Sequence, residues 1–190
     1  MSILDKAKKI IKTTWIVLIF CILFFVLSVF SIQSNFLDLF GGMPSLQDLE
    51  KPQSELSSEL YSSDTVLLGK YFRYNRSPVK YNELSKELVT TLLVTEDIRF
   101  YEHSGIDFKG LVRASYGVFK NIITLGNSGL EGGGSTITQQ LAKNLFKIRN
   151  ERKGKLSNVP FLGLIISKVK EWIVALKLEE FYTKNEILSM

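Results

Sequence analysis

The sequence predicts a mainly α-helical domain carried behind one N-terminal membrane-spanning helix, with a small β-hairpin-like segment ahead of the domain's helices. Three observations carry this expectation. No charged residue occurs between Thr13 and Leu37. Residues 57–81 hold the short apolar runs Val66-Leu67-Leu68 and Tyr71-Phe72 around Gly69, with a turn signal at Ser62-Ser63-Asp64. Beyond residue 82, apolar residues recur at the spacing of one helix face.

The first element follows from length and charge. Thr13–Ile32 is a run of 20 uncharged, predominantly apolar residues, which at about 1.5 Å per residue spans roughly the 30 Å of a bilayer core. Lys6, Lys8, Lys9 and Lys12 precede it against a single Asp5, so residues 1–12 are expected on the cytoplasmic side and the rest of the chain outside. A cleaved signal peptide is the rival reading. The apolar run is long for one, and no clear small-residue cleavage site follows it. Residues 33–60, with Gly41-Gly42, Pro44, Pro52 and several serines, are expected to form a membrane-proximal tether. Residues 61–190 are then the domain proper.

Within the domain, Asn82 is a suitable N-cap with Glu83 in the first turn, and Leu84, Leu88, Leu92 and Leu93 supply a helical face. This helix ends at Glu96-Asp97, where acids oppose the helix dipole, a local inconsistency that points to function. A second helix is expected over Phe108–Ile123. The glycine-rich stretch from Gly126 to Gly134 reads as a loop. Thr136 and Gln139 have capping-box spacing, so a helix is expected to start there. Its apolar side would be Ile137, Leu141 and Leu145, and its polar face Gln140, Lys143, Asn144 and Lys147. After the basic Lys147–Lys155 connector, Val159–Ile166 is apolar but too short to span a membrane, and is expected at its surface. A last long helix would place Ile165, Val169, Trp172, Ile173 and Leu176 on one face.

Composition narrows the chemistry. The chain has 190 residues, net charge +5, 45% hydrophobic residues and 13 phenylalanines, which is ample material for a core. One cysteine, Cys21, excludes an internal disulfide framework, and one histidine, His103, excludes a multi-histidine metal site. Charge is segregated: +3 over residues 1–12, −3 over 13–142 and +5 over 143–190. An outward-facing domain makes nucleic acid a poor partner; membrane phospholipid or an anionic lipid-linked substrate fits better. The glycine loop lacks the lysine of a phosphate-binding Walker loop, since Ser135 follows Gly134. Ser77–Lys80 and Ser167–Lys170 match Ser-x-x-Lys, a pattern too short to support acyl-serine chemistry without its companion triplet. Carboxylates remain, chiefly Glu96 and Glu171, with Lys143, Lys168 and Lys170 as cations. A diphosphate leaving group needs cationic stabilisation and one base for the acceptor hydroxyl, whereas a glycosidase needs two carboxylates. The lysines favour the first scheme.

The ordered blocks Glu96-Asp-Ile-Arg-Phe100-x-x-His103-x-Gly105-x-Asp107 and Gly133-Gly-Ser-Thr-Ile-Thr-Gln-Gln140-x-x-Lys143-Asn144 resemble the peptidoglycan glycosyltransferase family (family 51), found in class A penicillin-binding proteins and monofunctional transglycosylases. The resemblance runs from about Tyr61 to Met190. It implies a lysozyme-like fold that polymerises lipid II into β-1,4-linked glycan at the bacterial cytoplasmic (inner) membrane, single-pass, with release of undecaprenyl diphosphate. Carried over, Glu96 is the general base, and Asp97, His103 and Phe100 organise and pack around it. Thr136, Gln140, Lys143 and Asn144 hold sugar and phosphates. Lys168 and Glu171 match a third motif, with Glu171 positioning the diphosphate; a divalent cation, magnesium or manganese, is admitted there but not required.

The implied partners are lipid II, the growing glycan strand, membrane lipid and, as candidates, other cell-wall synthesis proteins. Two departures stand out. Ser167 replaces the arginine usual in the third motif, and Lys170 or the Lys147–Lys155 cluster is expected to supply its contact. The family pattern also continues beyond Met190 into a Tyr-Leu-Asn segment, so the domain is expected to be incomplete at its C-terminal end. A lysozyme-like lytic enzyme and an inactive, membrane-tethered lipid II-binding fragment stay open as alternatives.

Overall fold

The computed structural model describes residues 3–52, 58–72, 78–124, 133–149 and 154–190. The glycine loop through residue 132, Ser77 and the middle of the basic connector lie outside the described residues. The chain divides into two compact units, one made of Met1–Met43 with Arg152–Lys170, the other of Pro44–Glu151 with Glu171–Met190.

In the first unit, helix α1 runs from Ile3 to Gln33. It begins ten residues before the expected Thr13, because the lysine-rich start contains no helix breaker. Its stretch Leu4–Gln33 is long and apolar enough to cross a membrane, with a mean hydropathy of 3.0 in its most apolar window. A 3-10 turn follows at Phe36–Asp38. The unit also holds a 3-10 turn at Leu156–Asn158 and the first half of α6, a continuous helix over Pro160–Phe181.

The second unit opens with α2 (Leu46–Glu50), started by a Ser45–Asp48 capping box. Leu49 is fully buried, and its carbonyl and that of Glu50 accept from the Tyr182 hydroxyl at 2.9 and 2.8 Å. Residues 33–60 are therefore not a plain tether: their middle is built into folded structure. Strands β1 (Ser58–Tyr61) and β2 (Leu67–Tyr71) form the expected antiparallel hairpin, with Glu59 opposite Lys70 and bonded to it at 2.6 Å. Helix α3 spans Lys86–Glu96. Its cap is Ser85 rather than Asn82, since the Ser85 hydroxyl accepts from the Leu88 amide and Tyr81–Glu83 forms a separate 3-10 turn. Helix α4 covers Phe108–Ile123, as expected. Helix α5 covers Ile137–Leu145, capped by Thr136, and α7 covers Lys184–Ser189.

Two expected faces are revised. On α5 the buried residues are Thr138, Gln139 and Ala142, while Ile137, Leu141 and Leu145 are only half-buried. Lys147 lies past the helix end with φ 49°, so it does not continue the polar face. On α6 the buried residues are Gly163, Ile166, Ser167, Val169, Lys170, Glu171, Val174, Ala175 and Leu178, mostly at i, i+3, i+4 spacing; Val169 of the expected face is among them. Ile165 and Leu176, expected inside, are exposed. The inward register was hidden because three of its members are polar.

Candidate active site

The site is assembled where α3 ends and α5 begins. Asp97 is the C-cap of α3, and there its carboxylate reaches across the chain. Its Oδ2 accepts from the Ile137 amide at 3.1 Å, an otherwise unpaired donor of the first turn of α5. Both carboxylate oxygens lie 3.1 Å from His103 Nε2, within hydrogen-bonding distance of the imidazole. The acid that opposes one helix dipole thus satisfies the start of another. A second tie runs through Gly105, whose carbonyl accepts from Thr136 Oγ1 at 2.8 Å and from Gln139 Nε2 at 3.0 Å. Gly105 has φ +86°, and a Cβ there would fall 2.9 Å from the Ala175 carbonyl oxygen. Only glycine supplies both the left-handed backbone and the close approach to α6.

Phe100 is fully buried beneath this junction, edge-on to His103 at 6.3 Å between ring centres. Lys184 Nζ stands 4.2 Å from the centre of the Phe100 ring and donates to the His103 carbonyl at 2.6 Å. Glu179 holds that ammonium at 2.7 Å and accepts from Thr138 Oγ1 at 2.5 Å. The second half of α6 and α7 thereby brace the turn that carries Phe100 and His103.

Glu96 differs from its neighbour. It is exposed, and its Oε2 accepts from Gln140 Nε2 at 2.5 Å. It lines a cavity of about 690 Å³ together with Arg113, Ser135, Gln140, Lys143 and Arg149. Two carboxylates of that cavity are already engaged: Asp97 as described, and Asp107 with Arg99 at 2.5 Å. Burial works most strongly, to raise the Asp107 pKa, but the Arg99 guanidinium and the Gly110 amide together bring the carboxyl below its ordinary range.

The other expected site residues stand in different settings. Phe100 is a platform with no exposed surface. Asp97, Thr136 and His103 are buried, or nearly so, and their bonds hold the site together, Asp97 and Thr136 from the wall of the cavity. Glu171, expected among the catalytic residues to position the diphosphate, is 1% exposed and accepts from Arg149 Nε at 2.7 Å and Nη2 at 3.4 Å. It therefore positions a cation. Asn144 is exposed on α5, and Lys168 is half-buried in the first-unit half of α6. Lys170 does not replace the missing arginine, because its ammonium is bonded to three backbone carbonyls. From the basic cluster, Arg149 reaches the cavity; an arginine beyond the helix end carries no local signal that would have singled it out. Among the described residues no group of three or more His, Cys, Asp or Glu side chains is placed to hold a metal ion.

The transglycosylase family profile matches residues 64–190, which include every element of this site. The chain belongs to the transglycosylase family. This transglycosylase chain is 32% identical to penicillin-binding protein 1A of Vibrio cholerae over 173 residues, 91% of the chain and 19% of that protein. It is also 32% identical to penicillin-binding protein 1A of Escherichia coli over 182 residues, 96% of the chain and 19% of the relative. Penicillin-binding protein 1F of Bacillus subtilis is 37% identical over 134 residues, covering 70% of the chain and 16% of the relative. The chain thus spans about a fifth or less of the length of these relatives.

Proposed function

We propose that the chain is the glycosyltransferase unit of a peptidoglycan-polymerising enzyme, joining lipid II units into β-1,4-linked glycan. The observation that carries this reading is the division of labour between adjacent acids. Asp97 is consumed in the architecture, while Glu96 stands open on a cavity that also presents Lys143 and Arg149. Glu96 takes the proton from the acceptor's 4-hydroxyl as its oxygen attacks the donor's anomeric carbon. The bond from that carbon to the diphosphate oxygen breaks, the electron pair leaves with the diphosphate, and the anomeric centre inverts. Lys143 and Arg149 are the cations for the departing charge, and Glu171 holds the Arg149 guanidinium in a fixed plane. Gln140 orients the base.

The lytic alternative requires a second working carboxylate. Among the described cavity residues, Asp97 and Asp107 are both tied to cations or amides, which favours transfer. The four lysines before the apolar run of α1 support an N-terminus inside and a catalytic domain outside the cytoplasmic membrane. Lipid II, the growing strand and membrane lipid are the partners this reading requires.

The test is a gel assay with labelled lipid II in detergent, comparing the chain with Glu96→Gln. A ladder of longer glycans is expected from the unaltered chain, with the variant slower by at least about 100-fold. Equal ladders would remove Glu96 from the mechanism. Lipid II binding without product from either chain would assign the binding-only function instead.

A further inference from the structure

The last short helix, α7, begins with a cation. Lys184 is its first residue, where a positive charge opposes the helix dipole. The local signals around it otherwise agree with one another. Thr183 caps the helix, the Glu186 carboxylate accepts from the Thr183 amide at 2.8 Å, and Ile187 is buried. A lysine set against its own helix points to a task elsewhere in the fold.

Its contacts show where. The Lys184 ammonium donates to the His103 carbonyl at 2.6 Å, stands 4.2 Å from the centre of the Phe100 ring and pairs with Glu179 at 2.7 Å. The Glu179 side chain is 6% exposed, so its charge is met inside the protein, by Lys184 and by the Thr138 hydroxyl of α5. The corner between α6 and α7 that carries both residues is pinned in turn to α2 through the Tyr182 hydroxyl. Lys184 and Glu179 do not line the cavity, so they reach its chemistry only through other residues.

The route is short. Gly105, backed against the Ala175 carbonyl, receives Thr136 and Gln139 at the start of α5, a frame that does not involve Lys184. The Phe100–His103 turn precedes that frame, and Lys184 ties it to the α6–α7 corner. His103 Nδ1 is buried with no hydrogen-bond partner among the described residues. The ring's orientation therefore rests on Asp97 at Nε2 and on the backbone and Phe100 platform that Lys184 holds. Asp97 is next in the chain to Glu96, and a reacting group displaced by about 1 Å can lose about 100-fold in rate.

We propose that Lys184 is a positioning residue for the Glu96 base. With Glu179 it fixes the turn through which His103 and Asp97 set Glu96 on the cavity. The proposal rests on the reading of Glu96 as the base for lipid II polymerisation, and its test separates the two.

The full chain is assayed in detergent with labelled lipid II and, separately, by nitrogen-15 resonance of its imidazole; His103 is the single histidine, so its ring signals are unambiguous. Two variants remove the ammonium: Lys184→Met, and Glu179→Gln combined with Lys184→Met, which leaves no unpaired buried charge. Both are expected to lower kcat by about 10- to 100-fold with KM within about twofold. Lys184→Arg keeps a cation for Phe100 and Glu179 and is expected to retain most of the rate. The Nε2 signal is expected to move toward its position in urea in both methionine variants and to hold in Lys184→Arg. An unmoved Nε2 signal in the double variant would overturn the proposal. So would a raised KM at unchanged kcat, which makes Lys184 a binding residue, or a lowered thermal transition at unchanged kcat, which makes it purely structural. Equal ladders from the unaltered chain and both methionine variants would remove the proposal and leave Glu96 as the base. No ladder from the unaltered chain would remove that base and the proposal with it.

Discussion

The two halves of α6 bury different mixtures of side chains: the first sets Ser167 and Lys170 beside Ile166 and Val169, and the second is apolar after Glu171. In the first half, Ser167 and Lys170 point inward while Phe161, Leu164 and Ile165 face out. In the second, Val174, Ala175 and Leu178 are fully buried, and Glu180 is exposed. A helix register is one property of the chain, but what each turn buries depends on what stands opposite. Backbone carbonyls of Phe40, Gly41 and Gly42 accept a charged donor, whereas the second half packs apolar groups against its own unit. Burying a polar group is tolerable when every donor finds an acceptor, and costly otherwise.

The comparison is broken most severely in the second half. Val174→Asp would bury a carboxylate with no partner provided for it, and is expected to cost about 3–5 kcal/mol, read as a collapse of the thermal transition in detergent. A well-folded variant would show that this half tolerates charge as the first half does.

Next in size is Lys170→Met, which takes the ammonium from the Phe40, Gly41 and Gly42 carbonyls, leaving Phe40 its Ser157 donor, and is expected to cost about 1–3 kcal/mol. This variant also sharpens the electrostatics. Burial pushes the Lys170 pKa below its ordinary value, so between that lowered value and about 10.4 the unfolded chain binds more protons than the folded one. Stability of the unaltered chain relative to Lys170→Met is therefore expected to rise with pH through that window. A flat difference would mean that the ammonium is not desolvated. The smallest effect is expected from Ile165→Ser, within about 0.5 kcal/mol in detergent, since no protein neighbour is lost at an exposed site. A loss of several kcal/mol would place protein against that face.

Much of this was legible in the chain itself. The bilayer-length helix, the hairpin turn, α4 and the Thr136 cap follow from local signals: charge-free length, turn residues and capping spacing. The two motif blocks bring Glu96, Gln140 and Lys143 to one cavity. Misjudged were those features whose cause lies far away in sequence. Ser85 rather than Asn82 caps α3, because the better cap is the residue whose hydroxyl meets the Leu88 amide, a choice between two adequate candidates. The inward faces of α5 and α6 were misassigned because hydrophobicity marks a face only when burial is apolar.

What the sequence determined by itself was the inventory: one apolar helix of bilayer length, a helical domain, and acids and cations in ordered motifs. These depend on residue types at fixed spacings along the chain. Only the tertiary structure decided their roles. It made Asp97 a strut through the Ile137 amide 40 residues away, Glu171 the holder of Arg149, and Lys170 a strap on the segment after α1. Each of those assignments depends on whether a buried polar atom finds its partner, and long-range partners exist only once the chain has folded.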